Sequence, residues 1–78
     1  MDVKSLGIAI RARRKQLALR QGELAALANV GNRFVSELEN GKPTLEVGKV
    51  LLVAQVLGLE MTLIPRTWTH IENVLSHA

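Results

Sequence analysis

The segment QGELAALANVGNRFVSELENGK, residues 21–42, carries two apolar patterns of helical spacing separated by a short turn. The apolar residues of the two patterns are Leu24, Ala25, Leu27 and Ala28, followed by Val35 and Leu38. Asn29 stands where a left-handed residue commonly ends a helix, and Gly31 is an acceptable N-cap for the next helix. The segment therefore predicts two short helices about three residues apart.

The flanking sequence extends the helical pattern in both directions. Residues from about 4 to 17 predict a first, amphipathic helix. Its apolar positions are Leu6, Ile10 and Leu17. Asn40 and Gly41 end the third helix, and Pro43 prevents its continuation. A fourth, mostly buried helix is predicted from about Glu46 to the closing Gly58. Its apolar residues are Val50, Leu51, Val53, Ala54 and Leu57.

The spacing of apolar residues changes after Gly58. In LEMTLIP, residues 59–65, apolar and polar side chains alternate, which predicts a β-strand. The apolar positions are Leu59, Met61 and Leu63. Thr69 and Glu72 have the spacing of a capping box, so residues 67–78 are compatible with a short terminal helix. Its helical face is Trp68, Ile71 and Leu75.

Composition limits the possible partners of the chain. Its 78 residues suffice for one small domain, a size at which association with a second chain often adds stability. A net charge of +3 and a sequence pI of about 10.0 favour polyanionic partners, either nucleic acid or an anionic membrane surface. The basic residues crowd one segment and are Arg11, Arg13, Arg14, Lys15 and Arg20. A solvated helix face explains this cluster equally well.

Several classes of protein are excluded by what the sequence lacks. No apolar run is long enough to span a bilayer, and the first fifteen or so residues have the wrong charge order for a signal peptide. The absence of cysteine excludes disulfides and fits a reducing compartment, so a cytoplasmic protein is expected. The only histidines are His70 and His77, and no spacing suggests a catalytic set or a metal site. We therefore expect that the protein is not an enzyme and binds no cofactor.

The third predicted helix has the features of a DNA-reading helix. A pair of short helices joined by a tight turn lets the second enter the major groove while the first crosses the phosphates. The face opposite its apolar residues carries Asn32, Arg33, Ser36 and Glu37. Arg33 can pair with guanine, Asn32 with adenine, and Glu37 can accept from cytosine or pair with Arg33 one turn back. Alternatively, all four are ordinary polar surface residues.

Residues 14–42, RKQLALRQGELAALANVGNRFVSELENGK, resemble the helix-turn-helix of the Cro/C1-type (XRE) family, and the resemblance extends from Leu6 to Leu59. It implies an all-α, five-helix-type, lambda-repressor-like DNA-binding domain over residues 1–58. It also implies a partly buried ion pair between Arg14 and Glu39. The resemblance also implies that Gln21, at the start of the second helix, binds a phosphate and helps orient the reading helix, although ordinary polarity at a helix start would explain Gln21 as well. Arg20 and Lys42 are expected to add contacts to the phosphates. Arg20 replaces the usual capping Thr, and Gly22 weakens the second helix.

A lone strand leaves backbone donors and acceptors unsatisfied, so residues 59–66 are expected to pair with a second copy. The resulting homodimer would bury Leu59, Met61 and Leu63 and bind a palindromic operator in double-stranded DNA. Alternatively, the segment is an extended tail laid over its own helices.

Residues 42–66, KPTLEVGKVLLVAQVLGLEMTLIPR, resemble the end of HipB-like antitoxins. That resemblance implies a repressor that neutralises a HipA-like serine/threonine kinase toxin. The alternative is a stand-alone phage-type or restriction-controller regulator. Residues 67–78 are predicted to form a C-terminal tail, in which Trp68 either docks on a partner or packs against its own fold.

Overall fold

The computed structural model describes residues 2–65, which form four α-helices: α1 Val3–Gln16, α2 Gln21–Ala28, α3 Asn32–Glu39 and α4 Val47–Val56. α1 begins one residue earlier than the sequence predicts because Asp2 and Ser5 form a capping box. The Ser5 amide donates to Asp2 Oδ1 at 2.7 Å, and the Asp2 amide donates to Ser5 Oγ at 3.0 Å. The hydrogen bond from the Ser5 amide is the main cause that lowers the pKa of Asp2. α1 stops before Ala18, which takes a left-handed conformation with φ of 57°.

The predicted turn between the second and third helices is confirmed. α2 ends at Asn29, which is left-handed with φ of 55° and ψ of 45°. Gly31 has an extended backbone at the N-cap of α3. At the other end of α3, Gly41 has φ of 77°, a conformation that suits glycine. The loss of the usual capping Thr at position 20 is offset in part because the Arg20 amide donates to Glu23 Oε1 at 2.9 Å.

The four helices share one hydrophobic core, in which α3 packs against α1 and α2, and α2 packs against α4. The buried apolar residues are Ile10, Leu24, Ala25, Ala28, Val35, Leu38, Val50, Val53, Ala54 and Leu57. α1 approaches the end of α3 most closely at Gly7. A Cβ atom there would clash with the Leu38 carbonyl oxygen and lie 2.8 Å from that of Glu39. The missing side chain therefore sets the distance between the two helices.

Three leucines that were expected in the core are exposed. Leu17 lies beyond the end of α1, and Leu27 is 63% exposed because α2 packs through Leu24 and its small alanines. Leu51 is 47% exposed, so the prediction of a mostly buried α4 is wrong in part. α4 packs mainly against α2, which covers only the face of α4 that carries its buried residues. An apolar strip is left on the opposite side.

The C-terminal strand is absent from the described residues of this single chain. A strand is defined by backbone hydrogen bonds to a neighbouring strand, and residues 2–65 contain no strand that pairs with residues 59–65. Instead, Gly58 turns the chain with φ of 70°, and the Leu59 amide donates to the Ala54 carbonyl at 2.9 Å. Leu59 then packs partly against the core.

The predicted five-helix count is likewise unsupported, since residues 2–65 contain four helices. The expected terminal helix at 67–78 lies outside the described residues, as does Arg66. No helix in the described part of the chain has the length and apolar character needed to cross a membrane.

Candidate nucleic-acid interface

A buried ion pair at the C-terminal end of α3 joins this helix to the rest of the molecule. Arg14 on α1 donates to Glu39 through Nε at 2.6 Å and through Nη2 at 3.0 Å. Its third nitrogen, Nη1, donates to the Leu19 carbonyl at 2.8 Å. Gln21, the first residue of α2, adds a hydrogen bond from Nε2 to Glu39 Oε1 at 3.1 Å. One carboxylate therefore joins α1, α2 and α3.

Both members of this pair remain charged at neutral pH. Burial raises the pKa of Glu39, but the hydrogen bonds from Arg14 and Gln21 outweigh burial and bring that pKa below its ordinary value. The hydrogen bond to Glu39 likewise raises the pKa of Arg14. The Arg14 side chain is 10% exposed and the Glu39 side chain 3%, so loss of either partner would leave a charge buried without compensation.

The opposite face of α3 carries a second cluster of charge, in which two exposed cations flank the partly buried Glu37. The Arg33 side chain is 89% exposed, and its Nε donates to Glu37 Oε1 at 2.7 Å. Lys42, which follows α3, pairs with the other oxygen of the same carboxylate. The contacts with Lys42 and Arg33 lower the pKa of Glu37. We call Arg33, Glu37 and Lys42 the exposed cluster.

The start of α2 lies beside the start of α3. A Cβ atom built at Gly22 would be 3.9 Å from Asn32 Oδ1, an ordinary contact distance. Asn32 and Arg20 are exposed, and Gln21 is partly buried. The first amides of α2 thus lie near the exposed polar side chains at the start of α3. The N-terminus of a helix favours anions, so this region suits phosphate groups. Gly22 weakens α2 but leaves room beside Asn32.

The cluster of basic residues seen in the sequence divides into two groups in the structure. Arg13 and Arg14 are engaged within the fold, since Arg13 Nε donates to the Leu57 carbonyl at the end of α4 at 2.9 Å. Arg11, Lys15 and Arg20 are exposed. The contact of Arg13 joins residues 44 positions apart, and no local spacing could have predicted it. The contact between Lys42 and Glu37 could have been predicted from the sequence, because the two residues are close in sequence at the end of α3.

The residues expected to form the dimer strand border a groove on the far side of α4. Leu59 is partly buried against the core, whereas Leu63 is fully exposed. Met61 and Leu63 line the groove together with Leu6 on α1 and Val47 and Leu51 on α4. The outward apolar strip of α4 and the segment after it therefore form one continuous apolar surface.

The fold and the site define a small DNA-binding domain of the helix-turn-helix class. The HTH_3 family, described as "Helix-turn-helix", matches residues 10–64. A relative from Sinorhizobium fredii (strain NBRC 101917 / NGR234), named "Uncharacterized HTH-type transcriptional regulator y4mF", is 49% identical over 59 residues. That alignment covers 76% of this chain and 78% of the relative. A solved structure described as "MDT Protein" matches with a TM-score of 0.79 at 25% identity, covering 86% of this chain and 94% of that one.

The chain therefore belongs to the XRE-type helix-turn-helix family. It is a transcriptional regulator with a helix-turn-helix DNA-binding domain. The family and the relative indicate a DNA-binding protein rather than an enzyme.

Proposed function

We propose that this regulator is a sequence-specific repressor that reads operator DNA with the exposed face of α3. The observation that carries the proposal is the contrast between the two ends of that helix. Its last residue, Glu39, is locked to α1 and α2, whereas its first two, Asn32 and Arg33, are exposed. A helix held in this way can enter the major groove as a rigid unit and present its first residues to base edges.

Each of the polar residues Asn32, Arg33 and Ser36 on α3 has a base that suits its chemistry. The Arg33 guanidinium can donate two parallel hydrogen bonds to guanine, and the Asn32 amide can pair with adenine. Ser36 lies one turn further along and can donate or accept at either kind of base. These assignments make Arg33 the principal source of base preference.

Residues around α2 would hold the phosphates. Gln21 uses one amide N–H for Glu39, and its second N–H remains suited to a phosphate oxygen. Arg20, before α2, and Lys42, after α3, add positive charge. Gln21 thus has two roles, since it orients α3 through Glu39 and contacts the backbone of the duplex.

Paired substitutions separate base reading from phosphate contact. Arg33→Ala should lower operator affinity by roughly 1–3 kcal/mol and relax preference at one base pair. Gln21→Ala should weaken binding to all sequences alike, and Arg20→Ala should reduce the salt dependence of binding by about one phosphate contact. Fluorescence anisotropy with duplexes that differ at single positions measures all three. Equal, sequence-blind losses for Arg33→Ala and Gln21→Ala would contradict the proposed division.

We further propose a homodimer formed through residues 59–66, which is supported by the apolar groove. A monomer would leave Met61, Leu63 and the outward side of α4 in water. Pairing the segment with its copy would cover them and satisfy its backbone groups. Two-fold symmetry would set the two α3 helices about one DNA turn apart, roughly 34 Å, on a palindromic operator.

Leu63→Asp tests this dimer. A buried charge at the two-fold interface should split the dimer and abolish tight operator binding, as measured by sedimentation and anisotropy. Ile8→Asp is a matched control because Ile8 is also exposed, at 66%, but does not line the groove. It should leave the sedimentation coefficient unchanged. A Leu63→Asp variant that sediments like the parent protein would reject pairing through this segment.

We propose finally that the repressor is the antitoxin of a type II toxin–antitoxin pair and neutralises a HipA-like serine/threonine kinase. The proposal is supported by the resemblance of residues 42–66 to HipB-like antitoxins and by the exposed apolar surface that these residues carry. Co-expression with a kinase encoded beside it should yield a stable complex and suppress phosphorylation by that kinase. If no such neighbour exists, or if the kinase remains fully active, the protein is a stand-alone regulator.

A further inference from the structure

The carboxylate of Glu37 is already occupied by two cations. Oε1 accepts from Arg33 Nε at 2.7 Å, and Oε2 pairs with Lys42. The sequence left two roles open for Glu37, a base reader that accepts from cytosine or a partner of Arg33. A carboxylate directed at DNA is repelled by the phosphates unless a cation or a base donor offsets its charge. Here two cations offset it within the protein.

The contact with Glu37 also restricts how Arg33 can meet a base. Glu37 binds the guanidinium through Nε, so the terminal Nη1 and Nη2 groups remain for a second acceptor. Those two groups form a fork that matches O6 and N7 of guanine. Because the Arg33 side chain is 89% exposed, this hydrogen bond is the contact that orients it among the many rotamers of an arginine.

From these contacts we propose that Glu37 is a positioning residue that sets base preference through Arg33 and does not read a base itself. The inference rests on the proposed function, because it assigns the origin of the specificity of α3. Glu37 restrains Arg33 in the orientation that suits guanine and holds Lys42 beside it. Its negative charge also weakens attraction to phosphates at every sequence. Specificity is a difference between affinities, so the restraint on Arg33 increases it, whereas the charge lowers affinity for all sequences alike.

Glu37→Gln therefore has two opposite effects. The variant should bind an unrelated duplex several-fold more tightly, because a negative charge near the phosphates is removed. It should discriminate less well at the base pair that Arg33 reads. One good bidentate contact gives roughly 5- to 150-fold discrimination, and Glu37→Gln should reduce this ratio by at least about threefold. A purely structural role for Glu37 would change both affinities in the same direction.

Dissociation constants are measured by anisotropy for three duplexes: the selected operator, the same operator altered at the Arg33 position, and an unrelated sequence. Glu46→Gln is the matched control, since it removes an exposed carboxylate paired with Lys49 at 3.6 Å outside the exposed cluster. It should leave discrimination unchanged. In the Arg33→Ala background, Glu37→Gln should cause no further loss of discrimination at any base pair, because Glu37 acts through Arg33.

Two results would overturn the proposal. One is Glu37→Gln with full discrimination at the Arg33 base pair. The other is a loss at a different base pair that persists in the Arg33→Ala background, which would make Glu37 a reader. If the wild-type protein does not discriminate between duplexes at all, the proposed function itself fails.

A measurement without DNA provides a second test. The Arg33 Nε–H resonance of the free protein should be shifted and slow to exchange in the wild type and should revert in Glu37→Gln. An Arg33 resonance that is identical in the two proteins would overturn the restraint on which the proposal depends.

Discussion

The molecule contains two arginine–glutamate pairs of the same chemistry in opposite surroundings. Arg14 and Glu39 are buried between α1 and α3, whereas the Arg33 side chain of the other pair is almost entirely in solvent. The buried pair satisfies three guanidinium nitrogens and is reinforced by Gln21. The exposed pair uses one nitrogen and leaves the end of the guanidinium accessible. Burial thus assigns the first pair to the fold, and we propose that the second pair serves recognition.

The largest expected effect is on the buried side of this comparison. Glu39→Ala should cost roughly 3–5 kcal/mol of unfolding free energy, because Arg14 would remain buried without its partner. Urea denaturation followed by circular dichroism measures the loss. Glu46→Ala is the control, since the Glu46 side chain is 74% exposed and its pair with Lys49 is weak. A loss at Glu39 no greater than that at Glu46 would remove the distinction between buried and exposed pairs.

Close packing beside the buried pair predicts a second, smaller effect. Gly7→Ala should destabilise the fold by about 1–3 kcal/mol, because the new methyl group would push α1 away from the end of α3. Gly48→Ala, also in a helix, has nothing within 4 Å of its Cβ position and should be neutral or slightly stabilising. Thermal unfolding compares them. Similar melting temperatures for the two variants would mean that Gly7 does not set the spacing of α1 and α3.

The pH dependence of stability should also distinguish the buried pair. The pKa of Glu39 in the folded protein lies below its ordinary value of 4.5. Its contribution is therefore complete above the unfolded pKa and is lost as pH falls through the folded pKa. The stability difference between the wild type and Glu39→Gln should shrink as pH is lowered below about 4.5. A constant difference from neutral to acidic pH would show that the charge of Glu39 contributes nothing.

The smallest effect is expected at the exposed pair. Arg33→Ala and Glu37→Gln should leave the urea midpoint unchanged within error, since solvent and salt screen the contact. The same variants should alter DNA recognition without lowering stability, whereas Glu39→Ala should lower stability. Large destabilisation by either substitution would make the exposed pair structural and would weaken its assignment to recognition.

Local patterns in the sequence were sufficient to predict the helix-turn-helix. Asn29 and Gly41 mark helix ends through their backbone preferences, and the spacing of Val35 and Leu38 identifies the buried side of α3. These features depend on residues a few positions apart in the sequence. Hydrophobic periodicity and capping motifs detect interactions over that distance. The start of α1 was missed by one residue because the capping box of Asp2 has Ser at its fourth position instead of Glu or Gln.

Long-range features could not be predicted from local patterns. The spacing of Leu51 does not reveal that its side of α4 is left uncovered, because that depends on how far three other helices extend. Arg13 looked like part of a basic surface, yet it closes the end of α4 through a contact across the fold. The strand expected after Gly58 is not supported by the described residues, because a strand needs a neighbour to pair with and the apolar spacing of one short segment does not show that a neighbour exists.

Base reading by α3 is best tested by selecting duplexes from a random library with the wild-type protein and with Arg33→Ala. We predict that the wild type recovers one motif with two-fold symmetry, and that Arg33→Ala recovers the same motif with one base pair in each half-site relaxed. Recovery of unrelated sequences by the wild type, or of an identical motif by both proteins, would contradict the claim that the exposed face of α3 reads DNA.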